Sequence, residues 1–384
     1  MKIAIVHDEL VRRGGGEQVA LSMHKAFPDA PVYTLCYDPA KTYPEFKKAK
    51  VVTSWFQKIG SSEKLIKMLY FPFAILAMRS IKLKGYDVVL ISTTHCGKFI
   101  RTDKKATVIT YCHTPFRFAF RPHSYESVAN SNWLVKRIFL TASWILRSLD
   151  RAATENTDWF ITNARQVVER IKNAYHPSKP VTVINPPVNL DNFYITDTVK
   201  DYYLVVCRLE AYKKVDLVIE AFNSMPNRKL IVVGKGSMEE ALHQMAAPNT
   251  TFQHSLNAKQ LATLYAECKA LIFPQYEDYG ITPLEAAASG RPVIAFGQGG
   301  VLETMIPYKD NSKTATAVFF NSQTPGALTD AINEFEQLSF DPYFIRRHAE
   351  KFEEVTFIQK LKEFIYSKTV VPMQVAGKAQ ISPY

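Results

Sequence analysis

Short runs of apolar and β-branched residues alternate with stretches of helical periodicity along almost the whole chain. The first third reads KIAIVH, GEQVALSMHKAF, PVYTLCY, YDVVLIST and ATVITYCH. Near-continuous apolar strands separated by helix-length segments predict a parallel sheet covered on both faces. Trp133 to Ala152 has the periodicity of a long helix; a strand DWFITN, a helix opening near Ala164, and a strand VTVINPP ending on Pro186 and Pro187 follow it. The next stretch, VNLDNFYITDTVKDY, is polar and aperiodic and predicts a linker. The alternation then restarts with YYLVVCR, DLVIEAFNSM, KLIVVGKG, MEEALHQMAA, TTFQHS, AKQLATLYAEC, KALIFPQ, TPLEAAASG, RPVIAFG and TAVFF.

The expected fold class is therefore α/β, with two Rossmann-like doubly wound parallel-sheet domains and a cleft between them. Residues 1–188 and 201–352 form the domains, 189–200 the linker, and 353–384 a C-terminal helix and tail packing back on the N-terminal domain. A chain of 384 residues exceeds what one hydrophobic core usually supports, which agrees with two domains. Ligands of such sheets lie beyond the carboxyl ends of the strands, so candidate chemistry belongs there.

Four strand ends carry it. Gly14-Gly15-Gly16-Glu17 follows the first strand, where backbone N–H groups at a helix start suit an anion; a turn serving only chain reversal is the alternative. Tyr111-Cys112-His113-Thr114-Pro115 with Arg117 leaves another strand, and His113 there is either a hydrogen-bond donor to a substrate or a satisfied structural histidine. Arg208 and Lys213, after YYLVVC, are the cations a departing diphosphate needs, whereas Lys214 fits a solvated basic turn better. No Asp-x-Asp spacing supplies a magnesium site, so no metal is expected.

The fourth is Glu277-Asp278-Tyr279-Gly280-Ile281-Thr282-Pro283-Leu284-Glu285, after KALIFPQ. Eight residues of continuous helix rotate by about 80° beyond two turns, so the two glutamates share a direction only if a loop separates them. Gly280 breaks the segment, Thr282 is the expected N-cap, Pro283 the first helical residue, and Glu285 the third. Glu285 either faces the cleft or closes a capping box onto the Thr282 N–H. Two further glycine turns, Gly234-Lys235-Gly236 and Gly297-Gln298-Gly299-Gly300 with Glu303, repeat the strand–glycine–helix arrangement.

Composition narrows the partners. The formal charge of +11 suits phosphorylated small molecules or an anionic membrane surface, and nucleic acid is not expected. Lys47 to Lys84 holds nine basic residues against Glu63, interleaved with Trp55, Phe56, Leu65, Ile66, Leu69, Tyr70, Phe71, Phe73 and Ile75. That mixture suits a membrane interface, or a helical pair with solvated lysines packed on the N-terminal domain. The longest uncharged apolar stretch, Met68 to Met78, is about half of the roughly 20 residues a membrane span needs. MKIAIVHDEL lacks a secretion leader, and five scattered cysteines without a Cys-x-x-Cys pair fit a reducing cytoplasm.

Taken together, EDYGITPLEAAASGRPVIAFGQGG, RLEAYKKVDL, YCHTPFRF and INPPVNLDNF resemble the retaining glycosyltransferases of family 4, which have the glycosyltransferase-B fold. The resemblance runs from GGGEQV to HAEKF. It implies that Glu285 binds the nucleotide ribose, that Glu277 and the backbone of Asp278, Tyr279 and Gly280, with Ile281, hold the transferred sugar, and that Arg208 and Lys213 bind the diphosphate. It further implies that His113 lies near the sugar and acceptor, and that Gly15 and Gly16 line the diphosphate and acceptor side; Gly236 would serve the donor, and Gly299, Gly300 and Arg117 the acceptor or phosphate side. The CHTP and GxGGxxET elements are similar to a subgroup that uses GDP-mannose with lipid-linked or polysaccharide acceptors, hence a mannosyltransferase of polysaccharide biosynthesis, peripheral at the inner membrane face. Cys207 and Asn185 depart from that pattern, where Gly or Ser, and an aromatic or His, are usual. Two other classes share these features: an epimerase of the same fold acting on a UDP-N-acetylhexosamine, and a nonenzymatic binding module of a polysaccharide assembly.

Overall fold

The structure, a computed structural model, describes residues 1–62, 65–66, 69–121 and 132–369. The tail expected at 370–384 lies outside the described residues, as do Glu63, Lys64, Lys67 and Met68 of the basic segment.

The N-terminal half contains β1 (Ile3–His7), α1 (Gly15–Ala26), β2 (Val32–Thr34), β3 (Val51–Thr53), β4 (Lys82–Leu83), β5 (Val88–Thr93), β6 (Arg101–Thr102), β7 (Thr107–Cys112), α2 (Trp133–Thr154), β8 (Trp159–Thr162), α3 (Arg165–Tyr175) and β9 (Thr182–Val183). Seven strands form one sheet in the order β3-β2-β1-β5-β7-β8-β9, with β4 and β6 paired separately. Its pairings are all parallel. Every residue of β1 and β5 is buried, which explains their unbroken apolar runs: helices cover both faces. Asn132 starts α2 by accepting from the Val135 N–H.

The second half contains β10 (Tyr203–Val206), α4 (Val215–Asn223), β11 (Leu230–Val233), α5 (Glu239–Met245), β12 (Thr250–Gln253), α6 (Ala258–Glu267), β13 (Leu271–Phe273), α7 (Thr282–Ala288), β14 (Val293–Phe296), β15 (Ala317–Phe320), α8 (Pro325–Glu336), α9 (Pro342–Glu350) and α10 (Glu354–Thr369). Its six strands run β12-β11-β10-β13-β14-β15, again in parallel. Both sheets reverse their winding at the first strand, between β1 and β5 and between β10 and β13. Crevices form at the carboxyl ends of such switch points.

The last helix returns to the first domain. Phe357, Leu361 and Ile365 of α10 are buried in one cluster with Ile5, Leu21 and Leu90, each worth roughly 1.5–3 kcal/mol of burial. Glu354 fixes its start, accepting from Ser22 Oγ and Lys25 Nζ, both at 2.6 Å.

Among the described residues the basic segment is not one continuous amphipathic helix. Strand β3 interrupts it, and a π-helical turn at Tyr70–Ala74 leads into the short helix Ile75–Ser80. Phe56, Ile66 and Ile75 join the domain core, while Trp55, Ile59, Phe73 and Leu76 stay exposed. Sheet pairing fixes this part of the segment as a strand, with Val51, Val52 and Thr53 in parallel register with Val32, Tyr33 and Thr34 of β2.

Candidate active site

Strand β10 ends at Val206 and releases Cys207 and Arg208 at the switch point. Arg208 is exposed and its Nη2 donates to the Tyr212 hydroxyl at 2.8 Å. A 3-10 turn at Ala211–Lys213 folds Lys213 back beneath it, where the Nζ contacts Glu277 Oε1. Burial pushes the Lys213 ammonium down to about 8, with the Arg208 and Arg117 guanidiniums adding to the effect. The touching Glu277 carboxylate is an opposite charge, which favours the charged ammonium.

Glu277 stands on the loop after β13. Gly280 turns that loop with φ +81°, and a Cβ there would sit 2.9 Å from the Phe273 ring. Helix α7 then begins one residue earlier than the sequence predicts. Ile281 already has helical angles, no side chain caps the helix, and Thr282 and Pro283 become its first and second residues. The capping box does not form, because the buried Tyr265 hydroxyl donates to Glu285 Oε2 at 2.7 Å and occupies the carboxylate. Burial raises the pKa of Glu285, against the Tyr265 bond. Ile281 and Thr282 line the cavity, whereas Glu285 is half-buried one turn behind them.

On the other wall, Asp8 follows β1. Its carboxylate accepts from Thr93 Oγ1, Thr94 N and Gly97 N, each at 2.6 Å, and from His95 N at 3.1 Å. Burial opposes ionisation, yet His95, His7 and these donors hold it well below the usual carboxylate range. His113 leaves β7 with Nε2 at 2.9 Å from Ser92 Oγ, which lies 3.1 Å from His7 Nδ1. Burial pushes His113 down to about 3, so the imidazole is neutral at ordinary pH. Gly15 and Gly16 open α1 at the cavity edge; a Cβ on Gly15 would meet Ile281 Cδ1 of the opposite domain at 3.3 Å, and one on Gly16 would meet His113 Nε2 at 3.7 Å.

The walls are clamped together around the Glu277 loop. Asp278 pairs with Arg170 Nη1 at 2.6 Å and Arg117 Nη2 at 3.6 Å. Gln166 Nε2 donates to the Glu277 carbonyl at 2.7 Å, the Tyr276 hydroxyl bonds Gln166 Oε1, and Tyr279 donates to the Pro186 carbonyl at 3.2 Å. Between the walls lies a cavity of about 930 Å³, lined by Asp8, Gly15, Gly16, His113, Arg117, Arg208, Lys213 and Glu277 to Thr282 among others.

Besides Glu285, three expected site residues, all glycines, are absent from its lining. A Cβ on Gly300 would lie 2.4 Å from Tyr279 Cα, one on Gly299 2.4 Å from the Glu277 carbonyl oxygen, and one on Gly236 2.2 Å from the Leu209 carbonyl oxygen. These glycines press against the backs of the Glu277 and Arg208 loops, and Gly300 N donates to Glu277 O at 2.9 Å. At each of them the neighbouring backbone comes too close for a side chain.

Sequence reading missed Asp8, whose partners lie after a distant strand, Gln166 and Arg170, whose partners lie in the facing domain, and Arg147 and Arg151, which meet helices of their own domain. Only Asp8, directly after a buried strand, carried a readable signal. Asp8, His95 and Cys96 come within 4.8 Å of one another. Burial pushes the Cys96 thiol up, and the Asp8 oxygens are already engaged by four protein donors.

Residues 13–192 match the family model described as Glycosyltransferase Family 4, and residues 192–354 that described as Glycosyl transferases group 1. An alpha-1,3/1,6-mannosyltransferase of Candida glabrata is 22% identical, over 91% of this chain and 88% of its own. The O-antigen chain mannosyltransferase of Salmonella typhimurium is also 22% identical, over 76% and 81%. Among solved structures, sucrose-phosphate synthase from Thermosynechococcus elongatus superposes with a TM-score of 0.68 at 16% identity, over 96% of this chain and 99% of that one. The Anabaena protein HepE in complex with UDP gives 0.66 at 16%, over 96% and 100%. These two likenesses establish the fold.

Proposed function

The chain belongs to glycosyltransferase family 4, with the two-domain glycosyltransferase-B fold, and from that premise we propose that it transfers mannose from GDP-mannose to a lipid-linked or glycan hydroxyl with retention of configuration. Similarity to two mannosyltransferases supports the sugar. The observation that carries the reading is the convergence of Arg208, Lys213 and Glu277 on one cavity, opposite His113 and the start of α1.

In this reading the diphosphate displaces Glu277 from Lys213 and lies against Lys213 and Arg208. Glu277 then accepts hydrogen bonds from the sugar hydroxyls, with the Asp278–Gly280 backbone beside it, and Glu285 reaches the ribose. The acceptor oxygen bonds to the anomeric carbon on the face from which the phosphate departs. As the sugar–phosphate bond breaks, the acceptor proton passes to the departing β-phosphate oxygen. Arg208 and Lys213 offset the charge that builds there, and the protein otherwise contributes alignment. The cationic pair does the work a divalent ion would do, so transfer proceeds in EDTA. Exposed Trp55, Ile59, Phe73 and Leu76, set among the lysines of the Lys47–Lys84 segment, support docking on an anionic membrane face.

The deciding experiment is transfer by the purified chain with GDP-mannose, UDP-glucose and UDP-N-acetylglucosamine, with the product anomer read by NMR. An α-linked mannoside formed only from GDP-mannose is expected; a β product, or turnover of the UDP sugars alone, would overturn the mechanism or the donor respectively. Co-sedimentation with anionic but not neutral vesicles is expected for the membrane contact, and equal binding to both rejects it.

A further inference from the structure

The N-terminal wall of the cavity holds guanidinium groups that this chemistry leaves unused. Phe120, Arg121, Arg147 and Arg151 line the same cavity as Arg208 and Lys213. Arg147 and Arg151 lie one turn apart on α2, so they share a face. Their Nε atoms donate to the Ala119 carbonyl at 3.0 Å and the Ala174 carbonyl at 2.8 Å. Their guanidinium carbons lie 5.7 and 5.8 Å from the centroid of the Phe120 ring. The base beneath is rigid, because Asp150 of the same helix is buried and bonded to Lys98 Nζ at 2.9 Å and to the Tyr175 hydroxyl at 2.7 Å.

Among the described residues no carboxylate lies within 4.0 Å of Arg147 or Arg151. The carboxylates that line the cavity are engaged elsewhere: Asp8 by backbone donors, Glu17 by Arg12, Glu277 by Lys213, and Asp278 by Arg170. Two guanidiniums held against one ring on the same helix face repel one another, and an anion that reaches both relieves that repulsion. Their fork of donors matches the oxygens of a phosphoryl group.

We propose that Arg147 and Arg151, seated on Phe120, form a second anion subsite of the cavity, one that takes the phosphate or diphosphate ester of the acceptor. The inference rests on the transferase reading, because it assigns the cavity's second substrate. Trp133, Leu134, Ile138, Trp144 and Ile145 of the same helix are exposed, an apolar flank that favours a lipid-borne phosphate over a soluble one.

The test is calorimetric titration of the full chain, saturated with GDP, with citronellyl diphosphate and with inorganic pyrophosphate. Binding of the diphosphate to the GDP-loaded protein is expected, weakened at least tenfold in Arg147→Gln/Arg151→Gln while GDP affinity is unchanged. Each single substitution should weaken it about threefold, which keeps the test open if the double variant misfolds. Tighter binding of the prenyl compound than of pyrophosphate assigns a lipid acceptor, and equal affinity assigns a soluble phosphorylated one. No binding to the GDP-loaded chain, or wild-type affinity in the double variant, overturns the subsite. Titration of nucleotide-free Arg208→Gln separates the two readings: loss of diphosphate binding there on substituting Arg147 and Arg151 supports the subsite even where GDP fails to bind the wild type.

Discussion

At the carboxyl end of β1 the chain sets Asp8, and at the corresponding end of β10 it sets Arg208. Both occupy the switch point of a sheet wound in the same order. Asp8 is buried and takes four hydrogen bonds from the neighbouring β5 loop. Arg208 is exposed, with Tyr212 as its hydrogen-bond partner. Topology thus selects where a charged residue sits, and internal satisfaction decides whether it holds the fold or waits for a ligand. A saturated carboxylate has little left to offer a substrate, whereas a guanidinium with spare donors has much.

Substitution at the two positions should therefore separate stability from activity. Asp8→Ala leaves four converging donors without their acceptor and should lower unfolding free energy by about 3–5 kcal/mol, read by chemical denaturation. Arg208→Ala should leave the denaturation midpoint in place and lower kcat on the order of 10²–10³-fold, the usual cost of one charge-stabilising group. If Arg208→Ala instead unfolds the protein while Asp8→Ala is stable, the division of roles between the two switch points is wrong.

A smaller effect tests the clamp between the walls. Arg170→Met removes the closer partner of Asp278 and should raise the donor KM by roughly fivefold, about 1 kcal/mol, with kcat less affected. An unchanged KM would show that the Glu277 loop keeps its place without the facing domain.

A pH-dependent effect concerns two histidines of the N-terminal wall whose pKa values are shifted in opposite directions. Burial works against the charge on His95, but Asp8 and Glu9 raise it to about 9. Its stabilising contribution is complete below an unfolded pKa of about 6.5 and is lost as pH rises through about 9. His113, pushed down to about 3 by burial, contributes above about 6.5 and loses that contribution as pH falls toward 3. Denaturation midpoints from pH 4 to 9.5 should show His95→Asn flattening the alkaline limb and His113→Asn part of the acid limb. Identical profiles for both variants and the wild type would remove the proposed coupling.

Strand and helix identities were legible because burial on both faces of a parallel sheet imposes long apolar runs, and α2 and the strand preceding each candidate motif fall where periodicity predicts them. The motifs at strand ends were legible for the same reason, since the switch point follows from strand order. Glu285 was ambiguous, because a capping box and a cleft-facing acid have one spacing; Tyr265, twenty residues upstream, resolves it by taking the carboxylate. The glycines at 236, 299 and 300 carried a true signal of tight backbone approach, but which backbone they approach is a property of the packed domain. Arg147, Arg151 and Arg170 look like ordinary solvated helix residues in the sequence. Local pattern determined the two domains and the strand ends that hold their chemistry, because hydrophobic periodicity is a property of neighbours along the chain. Only the tertiary structure decided which charges pair and which stay open, because their partners come from the facing wall, more than a hundred residues away for Arg170 and Asp278.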